Sequence, residues 1–212
     1  LSGMGVPFDL AASAIIDAGR RLDARGWAMG GAGNYSVRLE DGTFAVTVSG
    51  RHKGHLQTAD VMRVDTNGRS LDSRRPSAET MAHVAIYRSR PQANAILHTH
   101  SVPAVVLTRL NRDARHIRIA DYEMLKALPG FATHEDEAAL PVLDNDQDMD
   151  RFASKAEEAL RSDPRAPAFL IREHGLYAWG GSMHEAIGAI EGIEYLLACE
   201  LEIRRCEPRG AT

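Results

Sequence analysis

The chain predicts a mixed α/β (α+β) fold with a central, largely antiparallel sheet flanked by helices. Three observations carry that prediction. Short β-rich segments crowd the middle of the 212 residues, two of them interrupted by hairpin signals at Asp41-Gly42 and Asn67-Gly68. Amphipathic helical stretches open and close the chain and recur between the strands. Hydrophobic residues at 44% and charged residues at 25% are ordinary globular proportions, enough for one full core without staples.

Taken in order, "DLAASAIIDAGRRLDARG" reads as a helix capped by Asp9, with Leu10, Ala14, Ala18 and Leu22 at helical spacing and Gly26 as the stop. The glycine cluster of "GWAMGGAGNYSVRL" feeds a strand, and "FAVTVSG" alternates like a half-buried one. "VMRVDTNGRSLD" repeats the pattern, so three or four antiparallel strands are expected here. "RRPSAETMAHVAIYRSRP" predicts a helix from near Ser77, with Met81, Val84, Ala85 and Tyr87 inward and Pro91 beyond its end. A strand "NAILHTHS", a short helix "PAVVLTRL", a strand "HIRIAD" and a helical turn "YEMLKAL" follow. "MDRFASKAEEALRSD" is an amphipathic helix, and "AFLIREHGLYAWG" two strands folded about His174 and Gly175. Ser182-x-x-Glu185 forms a capping box for the last helix.

One domain over residues 4–208 is expected, with Leu1-Ser2-Gly3 set apart as an extension before Met4. The 25 Lys and Arg against 29 Asp and Glu form no basic stripe, which argues against nucleic acid. "LAASAII" is too short to span a bilayer, so no membrane is expected either. Cys199 and Cys206, seven apart on a helix, would have Cα atoms about 10 Å apart, beyond the roughly 7 Å limit of a disulfide. Reduced thiols in a cytoplasmic protein are the expectation.

The chemistry begins at "HTH". Residues two apart on a strand point to one face, a span that two imidazoles can close onto a single ion, and His98 and His100 meet it. The pair alone suits equally well an alternating strand with two polar histidines. A third ligand decides, and His174, presented beside a glycine, is the best of the remaining seven. His83 and His184 read as surface or core-edge residues, and His52, His55, His116 and His134 as solvated. "GGAGNYS", "VSGRHKG" and "RPSAE" are donor-rich turns suited to a phosphate, with Ser77 near a helix N-terminus. Neither GxxxxGK[ST] nor GxGxxG occurs, which argues against the two common nucleotide sites.

In this order and at these intervals, "GAGNYS", "VSGRHKG", "PSAETMAH", "HTHS" and "REHGLYAWG" resemble the class II aldolase/adducin family. The likeness runs from the first helix to the last. It implies a three-layer α/β/α sandwich, one zinc ion per subunit, and a homotetramer with its sites near subunit boundaries. Carried over by position, it implies zinc on His98, His100 and His174, and a substrate phosphate on Asn34, Ser49, Gly50 and Ser77, with Lys53 added. "PSAET", "ILHTHS", "YEMLK" and "HGLYAWG" look most like the family's dehydratases, so the implied reaction removes water from a small phosphorylated keto-sugar. Two carboxylates compete as acid/base. Glu79 lies in Ser77-Ala78-Glu79, where alanine replaces the family's second serine, and Glu123 precedes Met-Leu-Lys. Glu123 is taken as the main group and Glu79 as its support, although a carboxylate beside a helix N-terminus also serves the dipole. The rival readings are an aldolase or epimerase on the same scaffold, and an adducin-like interaction module without catalysis.

Overall fold

The computed structural model describes residues 5–206. Residues 1–3, set apart above, and the limits of the expected domain at 4 and 208 lie outside the described residues.

Among the described residues eight strands form one sheet in the order β3-β2-β1-β4-β8-β7-β6-β5, with five helices over it. They are β1 (Asn34–Arg38), β2 (Phe44–Thr47), β3 (Val61–Val64), β4 (Ala95–Thr99), β5 (His116–Ala120), β6 (Glu137–Leu143), β7 (Ala168–Ile171) and β8 (Gly175–Gly180). Only β6 and β7 run parallel. The helices are α1 (Phe8–Ala24), α2 (Thr80–Ser89), α3 (Val102–Leu110), α4 (Met149–Ser162) and α5 (Met183–Cys206). Strand alternation sends Tyr35, Leu97, Leu170 and Ala178 to a core shared with α1, α3 and α5, and Val46, Ile96, Phe169 and Trp179 to a second core under α2 and α4. The expected three-layer sandwich is what forms.

Because both faces are covered, β2 is buried along its whole length, not half-buried as its alternation implies. Helix α1 departs from expectation at its start: Pro7 precedes it without a side-chain cap, and Asp9 sits inside the first turn, where the dipole favours a carboxylate. Of its expected stripe Ala18 and Leu22 are buried, but Ala11 and Ile15 take the inward places given to Leu10, which is exposed, and Ala14, which is half-buried. The Asn67-Gly68 turn returns the chain only as far as a single bridge from Val64 to Ser70. Helix α2 starts at Thr80, after a turn in which the Thr80 N–H and hydroxyl both donate to the Ser77 carbonyl. Met81 is only partly buried, whereas Val84, Ala85 and Tyr87 are inward.

Strand β6 has no counterpart in the sequence reading. Its Pro141 demotes a strand prediction, yet Pro141 lies opposite His116 while the far end of β6 pairs with β7. At α5 the Ser182 hydroxyl accepts from Glu185 N–H, and the Glu185 carboxylate accepts from Gly181 N–H, so the capping box closes one residue early. Cys199 and Cys206 are free thiols.

Candidate active site

The pairing register sets the site. Asn34 of β1, His98 of β4 and Tyr177 of β8 are Cα partners, so they form one row on the α2 face of the sheet. His98 stacks on Tyr177 with ring centroids 4.1 Å apart. His100 lies just past β4, bridged to Ala28, and His174 in the turn between β7 and β8. That turn is set by Glu173, at φ 55°, whose N–H donates to the Thr108 hydroxyl, and by Gly175, where a Cβ would stand 2.1 Å from the Thr99 carbonyl oxygen.

The three imidazoles converge through their Nε2 atoms. The separations are 2.9 Å for His98 to His100, 3.1 Å for His100 to His174 and 3.4 Å for His98 to His174. Tetrahedral zinc with nitrogens at about 2.0–2.1 Å spaces them by about 3.3–3.4 Å, so the triad fits the ion. The donor state fits too. His98 Nδ1–H donates to the Leu176 carbonyl at 2.9 Å, which leaves its Nε2 lone pair facing inward. Burial, with the neighbouring histidines, holds His98 well below its ordinary pKa, and burial pushes His100 down to about 4. Both are therefore neutral, the form that binds metal, at neutral pH.

Glu79 completes the cluster, with Oε2 3.3 Å from His98 Nε2 and Oε1 3.4 Å from His174 Nε2. Asn34 Nδ2 donates to Oε2 at 2.6 Å, and the Tyr177 hydroxyl donates to it at 3.3 Å. Behind Asn34 stands His83. It is buried, not a surface or core-edge residue, because α2 lays this side of its helix on the sheet.

Two cavities meet at His100 and His174. One, of about 350 Å³, is polar and gathers Asn34, Ser49, Gly50, Lys53, Ser77 and Glu79. Lys53 is buried with its ammonium on the carbonyls of Gly31 and Arg51, and burial pushes it down to about 8. The chain reaches close to the triad here because Gly33, at φ 83°, brings its Cα side to the His98 carbonyl, where a Cβ would stand at 2.5 Å. The other cavity, of about 630 Å³, is walled by Met29, Val102, Val105 and Val106. Asn145 and Gln147, from the segment after β6, line both.

The fold does not bring Glu123 to this cluster within its own chain. Glu123 opens the 3-10 turn Glu123–Ala127, exposed, with its carboxylate on Lys126 and held below its ordinary pKa by that bond. His52, His55, His134 and His184 are exposed, and His116 is half-buried on an outer strand. Sequence reasoning missed His83, Tyr177 and the apolar wall. Glu79 and His83 are four apart, one helical face, and that spacing was the available signal.

The family described as Class II Aldolase and Adducin N-terminal domain matches residues 13–201. A methylthioribulose-1-phosphate dehydratase of Granulibacter bethesdensis is 52% identical over 205 residues, covering 94% of this chain and 94% of that protein. Among solved structures, YgbL from Klebsiella pneumoniae is similar at 28% identity with a TM-score of 0.81, over 97% of this chain and 95% of that one. L-fuculose-1-phosphate aldolase from Thermus thermophilus is similar at 29% identity with a TM-score of 0.73, over 91% of this chain and 94% of that one. Sequence motifs, the family match over residues 13–201 and a relative 52% identical over 94% of this chain agree: this chain belongs to the class II aldolase and adducin family.

Proposed function

We propose that this chain is a lyase that removes water from 5-methylthioribulose 1-phosphate to give 5-methylthio-2,3-dioxopentyl phosphate, a step of methionine salvage. The observation that carries the reading is the triad placed between a polar and an apolar cavity, matching a substrate with phosphate at one end and a thioether at the other. The likeness to the Granulibacter dehydratase supports it.

His98, His100 and His174 would hold one zinc ion per subunit, which when bound supplies a Lewis acid for the carbonyl and adjoining hydroxyl oxygen. Asn34, Ser49, Gly50, Lys53 and Ser77 bind the phosphate, turning remote binding energy into orientation of the reacting carbons. Met29, Val102, Val105 and Val106 take the methylthio group. Glu123 accepts the C3 proton and returns one to the departing C4 hydroxyl. Since its carboxylate stands outside the cavities of its own chain, it does so in a neighbouring subunit of a homotetramer whose sites lie at subunit boundaries. Glu79, anchored by Asn34 and Tyr177, supports Glu123 from beside the triad. The enzyme is placed in the cytoplasm, consistent with its two free thiols. Among the described residues no helix is long and apolar enough to cross a membrane.

A second reading, a sugar-phosphate aldolase or epimerase, rests on the likeness to the Thermus aldolase. The deciding experiment measures metal content and diketone formation for the wild type and His98→Ala. About one zinc per chain, lost together with dehydration in the variant, is expected. Metal with C–C cleavage and no dehydration establishes the second reading instead, and a metal-free active protein overturns the zinc assignment.

A further inference from the structure

His83 is 2% exposed, and both ring nitrogens are engaged. Nδ1 lies 2.7 Å from the Ser36 hydroxyl and Nε2 2.5 Å from Asn34 Oδ1. Ser36 in turn lies 3.0 Å from the Tyr87 hydroxyl. Residues 79, 83 and 87 repeat at four-residue spacing from the turn before α2 onward, and Asn34 and Ser36 are two apart on β1. One helix face and one strand face thus enclose a continuous chain of polar groups that ends on the Glu79 carboxylate.

Each proton in that chain has a single place. An ionised carboxylate only accepts, so Asn34 must turn its amide nitrogen to Glu79 and its oxygen to His83. His83 must then donate from Nε2. Burial pushes His83 down to about 4, so at neutral pH the ring carries one N–H, and its Nδ1 accepts from the Ser36 hydroxyl, which accepts from Tyr87. Without a donor at Nε2, nothing on this side prevents the Asn34 amide from rotating and setting its oxygen against the carboxylate. Tyr177 does not substitute, because its hydroxyl lies 3.4 Å from Asn34 Oδ1 and 3.3 Å from Glu79, longer than either bond it would replace.

We propose that His83 is a positioning residue that fixes the Asn34 amide and, through it, the Glu79 carboxylate at the histidine triad. The inference rests on the reading of Glu79 as part of the active site.

The test compares His83→Gln, whose amide N–H reproduces the Nε2 donor, with His83→Leu, which has none. Crystal structures, metal content and steady-state kinetics are recorded for both. The Gln variant is expected to keep the Asn34–Glu79 bond, with kcat within about threefold of wild type. The Leu variant is expected to retain metal but lose kcat by about tenfold, with the Glu79 carboxylate displaced. If the Leu variant does not fold, His83→Asn, which still serves Ser36 but is too short for Asn34, carries the same expectation. An unmoved Glu79 carboxylate in the donor-less variant, or equal kcat loss in both variants, overturns the proposal. Should Glu79→Gln turn over normally, the active-site reading of Glu79 fails on its own, and the crystallographic comparison still decides the role of His83.

Discussion

The two walls that flank His100 and His174 are built by different means. The polar wall is assembled from turns: the Gly31–Gly33 segment, Ser49-Gly50 and Ser77, each held by backbone bonds and, at three glycines, by positive φ. The apolar wall is mostly one face of a single helix, α3, whose Val102, Val105 and Val106 point outward from a core that takes Ala104 and Leu107. Backbone donors in turns are rigid and suit a charged end that must be fixed in place. A helix face of branched side chains can change its volume one residue at a time without disturbing the fold. On the proposed function, the difference separates what orients the substrate from what selects it.

The two proposed proton-transfer groups give the largest test of that separation: Glu123 belongs to neither wall, whereas Glu79 lines the polar one. Glu123→Gln should retain metal and lower kcat by about 10²-fold or more. Glu79→Gln is expected to lose less, and the reverse order would give Glu79 the main role. Active sites restored by mixing Glu123→Gln with His98→Ala subunits would place Glu123 in the neighbouring site.

On the polar wall, Lys53→Met should raise KM about tenfold or more while kcat changes little, the pattern of lost ground-state binding. Its pH dependence follows from the lowered pKa. Lys53 is charged below about 8 and neutral above it, so affinity for the phosphorylated substrate should fall as pH rises through about 8 in the wild type. The Met variant should lack that step in a KM profile that spans the Lys53 pKa on both sides. On the apolar wall, Val105→Asn should cost only about three- to tenfold in kcat/KM for the methylthio substrate. It should cost nothing for an analogue with a hydroxyl at that carbon, and equal losses on both would deny the wall its selecting role.

Much of this was legible in the sequence, for definite reasons. Strand alternation and the glycine after His174 were enough to bring His98, His100 and His174 forward together, because both are local signals. The place of Glu79 was not legible, since it depends on how the turn before α2 meets β1. His83 was misread because helical spacing tells which residues share a face but not what that face covers. The apolar wall was invisible for a related reason: outward valines on α3 look, in sequence, like core. β6 escaped because its Pro141 breaks the alternating pattern that marks a strand.

Gly175 carries no functional group, yet it has less freedom than the histidine beside it. Any side chain there would meet the Thr99 carbonyl at 2.1 Å and the His98 ring at 3.0 Å. In a saturation scan scored by growth, this position should therefore look as indispensable as the three imidazoles, and a survey of natural variation would assign it a chemical role. Its constancy would record only that β4 leaves no room for a Cβ where the chain turns from His174 into β8.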